Sequence, residues 1–185
     1  YLAAKAVHAV IYKGQSLRQW ANKKKQSSLT LKTEKFINFY LLGSLCWFIQ
    51  NKAILASLLN SPIKEKDKIV EVLLCCAIYE ITRMRTPNYA VVASTVEAVK
   101  LAQKSHLKSL ANATLRNFIR AKGEFVTKAR CSLEGLYSFP SWFIEQTKKD
   151  YPNHWQSILD ASNQIPMLWL CVNTSKISLS EYQQQ

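Results

Sequence analysis

The side chains in this sequence with chemistry to offer are cations, and several recur at helical spacing. Between residues 107 and 122, Asn112, Arg116 and Arg120 are four apart. On a helix they form one polar stripe beside Leu107, Leu110, Leu115, Phe118 and Ile119. Lys108 stands at the start of that segment, where free backbone N–H groups also favour phosphate. Lys100 and Lys104 are four apart on the preceding segment, with Val92, Val96 and Val99 as its apolar side. Arg83 and Arg85 close the segment before that, where cations complement a helix C-terminus. Lys5 adds a charge on the first helical stretch. Each has a plainer reading beside phosphate binding. Arg83 and Arg85 can be caps, Lys100 and Lys104 a solvated face, and Asn112 a buried hydrogen-bonding residue. Tyr79 and Tyr89 can stack a nucleobase, but the simpler role for both is core packing.

Other chemistry is missing. There is no G-x-G-x-x-G and no phosphate-cradling G-x-x-x-x-G-K, and the four glycines are isolated. His8, His106 and His154 lie far apart without metal-ligand spacing, so no metal is expected. The five cysteines, Cys46, Cys75, Cys76, Cys131 and Cys171, include no C-x-x-C and are odd in number. That pattern fits neither a disulfide framework nor a zinc site and suits a reducing cytoplasm. Nothing nominates a base for a cysteine nucleophile, and no catalytic residue is assigned.

The elements that carry the cations follow from apolar periodicity. Helices are predicted over 1–12, 17–24, 32–50, 51–59, 66–83, 89–104 and 107–122. Gly14 ends the first, Ser16 caps the second, and 23–28 reads as a loop. Inward faces are predicted for Phe36, Ile37, Tyr40, Leu41, Leu45, Phe48 and Ile49. Residues 124–138 are weakly patterned and read as a connection. Pro140 and Pro152 then open helices over 140–150 and 152–162 as first-turn prolines. Residues 167–173 read as one β-strand, and Ser178 as the cap of a last helix. A single strand makes no sheet, so its partners are expected outside this chain. The longest apolar run, Phe39 to Ile49, is broken by Gly43 and Ser44 and is too short to span a bilayer.

Charge divides the chain. Residues 1–138 hold 22 basic and 8 acidic side chains, and residues 139–185 hold 3 and 4. The excess of +13 therefore belongs entirely to the first three quarters, which implies a polyanionic partner there. A basic domain with no such partner is the alternative.

The segments C-A-I-Y-E-I-T-R-M-R-T-P (76–87), V-E-A-V-K-L-A (96–102) and L-A-N-A-T-L-R (110–116) resemble the NusB family, with Ala113 where many members have glycine. The opening A-A-K-A-V-H-A-V-I-Y-K-G-Q-S-L (3–17) is similar to one branch. That branch is the NusB-like domain at the start of the small-subunit rRNA cytosine-C5 methyltransferase B (RsmB/Sun/Fmu) family. S-F-P-S-W-F (138–143), D-Y-P-N-H-W-Q-S-I-L-D-A-S-N (150–163) and P-M-L-W-L-C-V-N (166–173) resemble its linker motifs, with Trp142, Trp155 and Trp169 in register. Phe139, Ser162, Ile165 and Cys171 depart from the family pattern.

The resemblance implies an all-α, NusB-like bundle of about seven helices over 1–138. Two helices and a lone strand would follow over 139–185, opening an incomplete methyltransferase domain. It implies a bacterial, cytoplasmic protein whose partner is small-subunit rRNA, with no membrane and no metal. S-adenosylmethionine would belong to a downstream domain of the longer protein. The family's Pro-Cys and Thr-Cys dipeptides do not occur here, so neither catalytic nor cofactor-binding residues carry over. The RNA-contact candidates are Lys5, Arg83, Arg85, Lys100, Lys104, Lys108, Asn112, Arg116 and Arg120. An antitermination factor binding RNA with a ribosomal protein is the alternative, and residues 139–173 argue against it.

Overall fold

The computed structural model describes residues 1–24 (backbone only from 21), 30–164, 166 and 169–184. The first seven helices match those expected from periodicity: α1 (Leu2–Lys13), α2 (Leu17–Lys24), α3 (Leu31–Cys46), α4 (Phe48–Leu58), α5 (Lys68–Arg83), α6 (Asn88–Leu101) and α7 (Lys108–Arg120). Gly14 closes α1 in the left-handed conformation at φ 61°, its N–H bonded to the Ala9 carbonyl. Ser16 Oγ accepts from Gln19 N at 3.2 Å and caps α2. Most of the loop expected over 23–28 lies outside the described residues.

The bundle is built around α5. Every residue from Val70 to Tyr79 is buried, as is Ile81, so this helix is covered on all sides. It packs against α1, α3, α4, α6 and α7. Fully buried Val70, Val72, Leu74 and Ile78 each contribute about 1.5–3 kcal/mol of transfer free energy. Glu71 is buried on the same helix, where it accepts from the Tyr12 hydroxyl of α1 and pairs with Lys68 at 3.4 Å. Burial, and then Glu71, push the Tyr12 hydroxyl far above its ordinary pKa, so it stays a donor.

The boundary between the third and fourth helices differs from expectation. The break falls at Trp47 and not near Asn51, and the two axes bend by 69°. Ile37, Leu41 and Ser44 are buried on α3, and Phe48, Asn51 and Leu55 on α4. The three-and-four spacing runs through the bend without a phase slip, so periodicity alone cannot see it. Gly43 and Ser44 precede it by one turn, a pair associated with kinks. Gly43 also lets the Tyr79 ring lie on α3, since a Cβ there would overlap its hydroxyl. Phe36 is another correction, since it is half-exposed and stacks on Tyr40 with centroids 6.1 Å apart.

Residues 124–138 hold two helices, α8 (Lys122–Ala129) and α9 (Leu133–Tyr137), both packed on α4. Phe125 of α8 meets Phe118 of α7 at 6.4 Å, and Lys122 Nζ donates to the Ile81 carbonyl at 2.9 Å. Ser132 caps α9 by accepting from Gly135 N. Beyond the bundle come α10 (Ser141–Asp150), α11 (Trp155–Ser162) and α12 (Leu179–Gln183). Pro140 is the N-cap of α10, and Pro152 sits in the turn before α11, so neither occupies the first turn. Ser178 makes a capping box with Glu181.

The expected strand over 167–173 is not observed among the described residues. Met167 and Leu168 lie outside them, and 169–173 have no regular structure, with Trp169 83% exposed. Tyr137, Ile144 and Leu159 form a second, small core with Phe139, Phe143 and Trp155. Gln50 joins the two regions. Its backbone N–H donates to Ser138 Oγ at 3.3 Å, and its side-chain amide donates to the Gly135 carbonyl at 2.7 Å.

Candidate nucleic-acid interface

Helix α7 buries Ala111, Thr114, Leu115 and Phe118, which turns Asn112, Arg116 and Arg120 outward as a stripe. Arg116 Nε donates to Asn112 Oδ1 at 3.1 Å, one turn back. Arg120 Nη2 donates to Asn117 Oδ1 at 2.9 Å. These local bonds hold two exposed guanidinium groups while occupying one printed contact each of their five donors. Lys108 begins the helix and is half-buried.

A groove opens on each side of α7. The one shared with α6 encloses about 750 Å³ and is bordered by Tyr89, Val92, Asn112, Arg116, Ile119 and Arg120. The other, of about 780 Å³, lies against the 58–67 connection and is bordered by Lys64, Lys66, His106, Asn117 and Arg120. Arg120 borders both.

The remaining candidates do not converge on one site. Lys100 and Lys104 do not share a helical face, because α6 ends at Leu101 and Gln103 adopts a left-handed conformation at φ 59°. Lys104 turns back instead, and its Nζ lies 2.8 Å from buried Asp67. Hydrogen bonding to Lys104 holds the Asp67 carboxyl below its ordinary pKa, against burial, with further help from the charges of Lys104 and His106. Lys104 is therefore a clasp between the 65–67 turn and the end of α6. Lys100 pairs with Glu97 on the exposed face of α6.

Arg83 sits 3.1 Å above the Trp47 ring centroid and donates to Gln50 Oε1 at 3.1 Å. Burial, reinforced by nearby Arg130, lowers its pKa to about 10, which leaves it charged at neutral pH. Arg85 is exposed in the turn between α5 and α6. Lys5 is exposed on α1, 5.5 Å from the Tyr1 ring, and borders neither α7 groove.

Two features were not assigned from sequence. Tyr89 is 79% exposed beside the α6–α7 groove, whereas Tyr79 is core. The signal was its place in the first turn after Pro87, one residue before the buried run begins at Val91. Lys64 and Lys66 face the second groove from an irregular stretch that helical spacing cannot reach.

His8 is half-buried against Tyr12, while His106 and His154 are exposed. Among the described residues no three His, Cys, Asp or Glu side chains gather as a metal site. No single described helix is long and apolar enough to cross a membrane. The glycines have other work: Gly14 is a helix cap, Gly43 and Gly135 sit against close neighbours, and Gly123 lies within α8. S-adenosylmethionine therefore finds no glycine cradle among the described residues, and no chemical step through it is derived.

Comparison with known proteins agrees with this architecture. The NusB family profile matches residues 1–120, and the RsmF/B-like methyltransferase ferredoxin-like domain matches 139–185. The probable ribosomal RNA small subunit methyltransferase B of Coxiella burnetii is 37% identical over 162 residues, covering 88% of this chain and 36% of that protein. The ribosomal RNA small subunit methyltransferase B of Yersinia pestis bv. Antiqua is 33% identical over 181 residues, covering 98% of this chain and 42% of its own length. The chain thus spans about two fifths of the curated relatives it matches. With an all-helical bundle over the matched residues and a second matched segment behind it, the chain belongs to the NusB family, in the form joined to an RsmF/B-like ferredoxin-like domain.

Proposed function

We propose that residues 1–138 bind small-subunit ribosomal RNA in the cytoplasm. They position it for S-adenosylmethionine-dependent cytosine-C5 methylation by a downstream domain, and residues 139–185 open that methyltransferase part. The observation that carries this reading is the outward guanidinium pair of α7, Arg116 and Arg120, set between two grooves on a strongly basic bundle. The names of the relatives supply the class of RNA and the reaction. Lys108 and Arg85 extend the same cationic surface. Contacts of this kind go to phosphates, so they fix orientation and leave sequence choice to other groups.

The test is fluorescence anisotropy of a labelled fragment of small-subunit rRNA across a salt series. Affinity should fall as salt rises, with a log–log slope of about −0.7 per neutralised phosphate on single strands. Arg116→Ala with Arg120→Ala should flatten the slope by about 1.4, two contacts' worth. An affinity indifferent to salt, or no binding, overturns the reading.

A further inference from the structure

We propose that the α6–α7 groove receives one unpaired nucleobase, stacked on the ring of Tyr89; this rests on the RNA reading above. Tyr89 is the second residue of α6 and is 79% exposed, although Val91, Val92, Thr95, Ala98 and Val99 of the same helix are buried. The ring takes no part in the bundle core and stands beside a cleft of about 750 Å³.

The surroundings of that cleft suit a base in three ways. Val92, Val96 and Ile119 supply an apolar surface for a flat ring. Asn112 supplies an amide whose Oδ1 is held by Arg116, which leaves its Nδ2 to donate to a base carbonyl or ring nitrogen. Arg116 and Arg120 stand along α7 at the edge, where the phosphates flanking an inserted base would pass. One carboxylate borders the cleft, Glu97, and it is paired with Lys100, so the local field stays positive. An aromatic face beside guanidinium groups is the arrangement that holds single strands, since every base has a π face. A base inside a duplex cannot reach Tyr89 without being unpaired first. A helix from a partner protein would use the apolar surface but leave the arginines unanswered.

The full chain is titrated with a single-stranded RNA, the same strand with one abasic nucleotide, and its duplex. Tyr89→Ala should weaken single-strand binding by about tenfold, within the range for loss of one base–aromatic stack. Tyr89→Phe should keep the affinity, and duplex binding should be the same in all variants. Circular dichroism should show both variants folded, because the ring is outside the core. If Tyr89→Ala changes nothing while the arginine variants still weaken binding, the base receptor is overturned and the RNA reading stands. Equal loss on single strand and duplex also overturns it, because the ring is then not selecting unpaired bases. A groove that takes a protein helix gives RNA curves indifferent to Tyr89, which overturns it as well. No RNA binding by the wild-type chain removes both readings together.

Discussion

The bundle of residues 1–138 and the segment 139–185 are both mostly helical, yet they are stabilised differently. In the bundle, one central helix is buried on all sides and its neighbours close over it. In the segment, the buried core is Ile144 and Leu159 with Tyr137 from α9, while Trp142, Tyr151, Trp169 and Leu170 are exposed. The charge is divided the same way, since every excess cation is on the bundle side. A region with its own core can present a charged face that is rigid. A region with so little buried surface depends on what it touches.

The comparison can be broken by removing one buried side chain on each side. Phe118→Ala should destabilise the bundle by about 3–5 kcal/mol, seen as a lower midpoint in denaturant for the whole chain. Leu159→Ala should remove a similar contact but leave that midpoint in place, with loss of amide protection confined to α10 and α11. A single shared transition lowered equally by both variants would show one cooperative unit. The joint comes next in size. Gln50→Leu removes donors to Gly135 and an acceptor for Arg83, at roughly 1–3 kcal/mol, and should raise exchange of amides over 135–144.

Smaller effects sharpen the distinction between structural and RNA-facing cations. Lys104→Met should lower thermal stability more than it lowers RNA affinity, whereas Arg116→Ala should do the reverse. The pH dependence of stability carries the signature of Lys104. The Asp67 carboxyl is lowered in the fold, so its contribution is present above 3.8 and lost as pH falls through the folded value. Without Lys104 that acid limb should begin at a higher pH. The smallest effect concerns His8, whose pKa is lowered from 6.5 by burial and then by Lys13. The unfolded chain takes up that proton first, so stability falls as pH drops from 6.5 through the lower folded value. His8→Gln should flatten this limb in thermal melts between about pH 7.5 and about pH 5.

Much of the bundle was legible because its helices are amphipathic and their ends carry local signals, as at Gly14 and Ser16. The α3–α4 bend was not, because the apolar phase continues across Trp47 while the axis turns. Helices α8 and α9 are short and packed mainly on α4, so periodicity had few residues to work with. The stripe Asn112–Arg116–Arg120 was legible because α7 is straight and one face of it is buried. Lys104 was misplaced for the opposite reason. No glycine or proline marks the end of α6, and the left-handed turn falls on Gln103, an ordinary residue. The partnership of Arg83 with Trp47 and Gln50 spans about half the bundle in sequence and leaves no local trace.

Ser138, where the chain leaves the bundle, has a left-handed backbone at φ 58° without being glycine. That conformation costs roughly 1–2 kcal/mol for an L-residue, and the bond from Gln50 N to its hydroxyl offsets part of it. The heading of everything that follows is thus set at one residue, by strain on one side and a tether on the other. Ser138→Gly would relieve the strain and release the heading together. A more comfortable backbone there would be a poorer compass for the segment that departs from it.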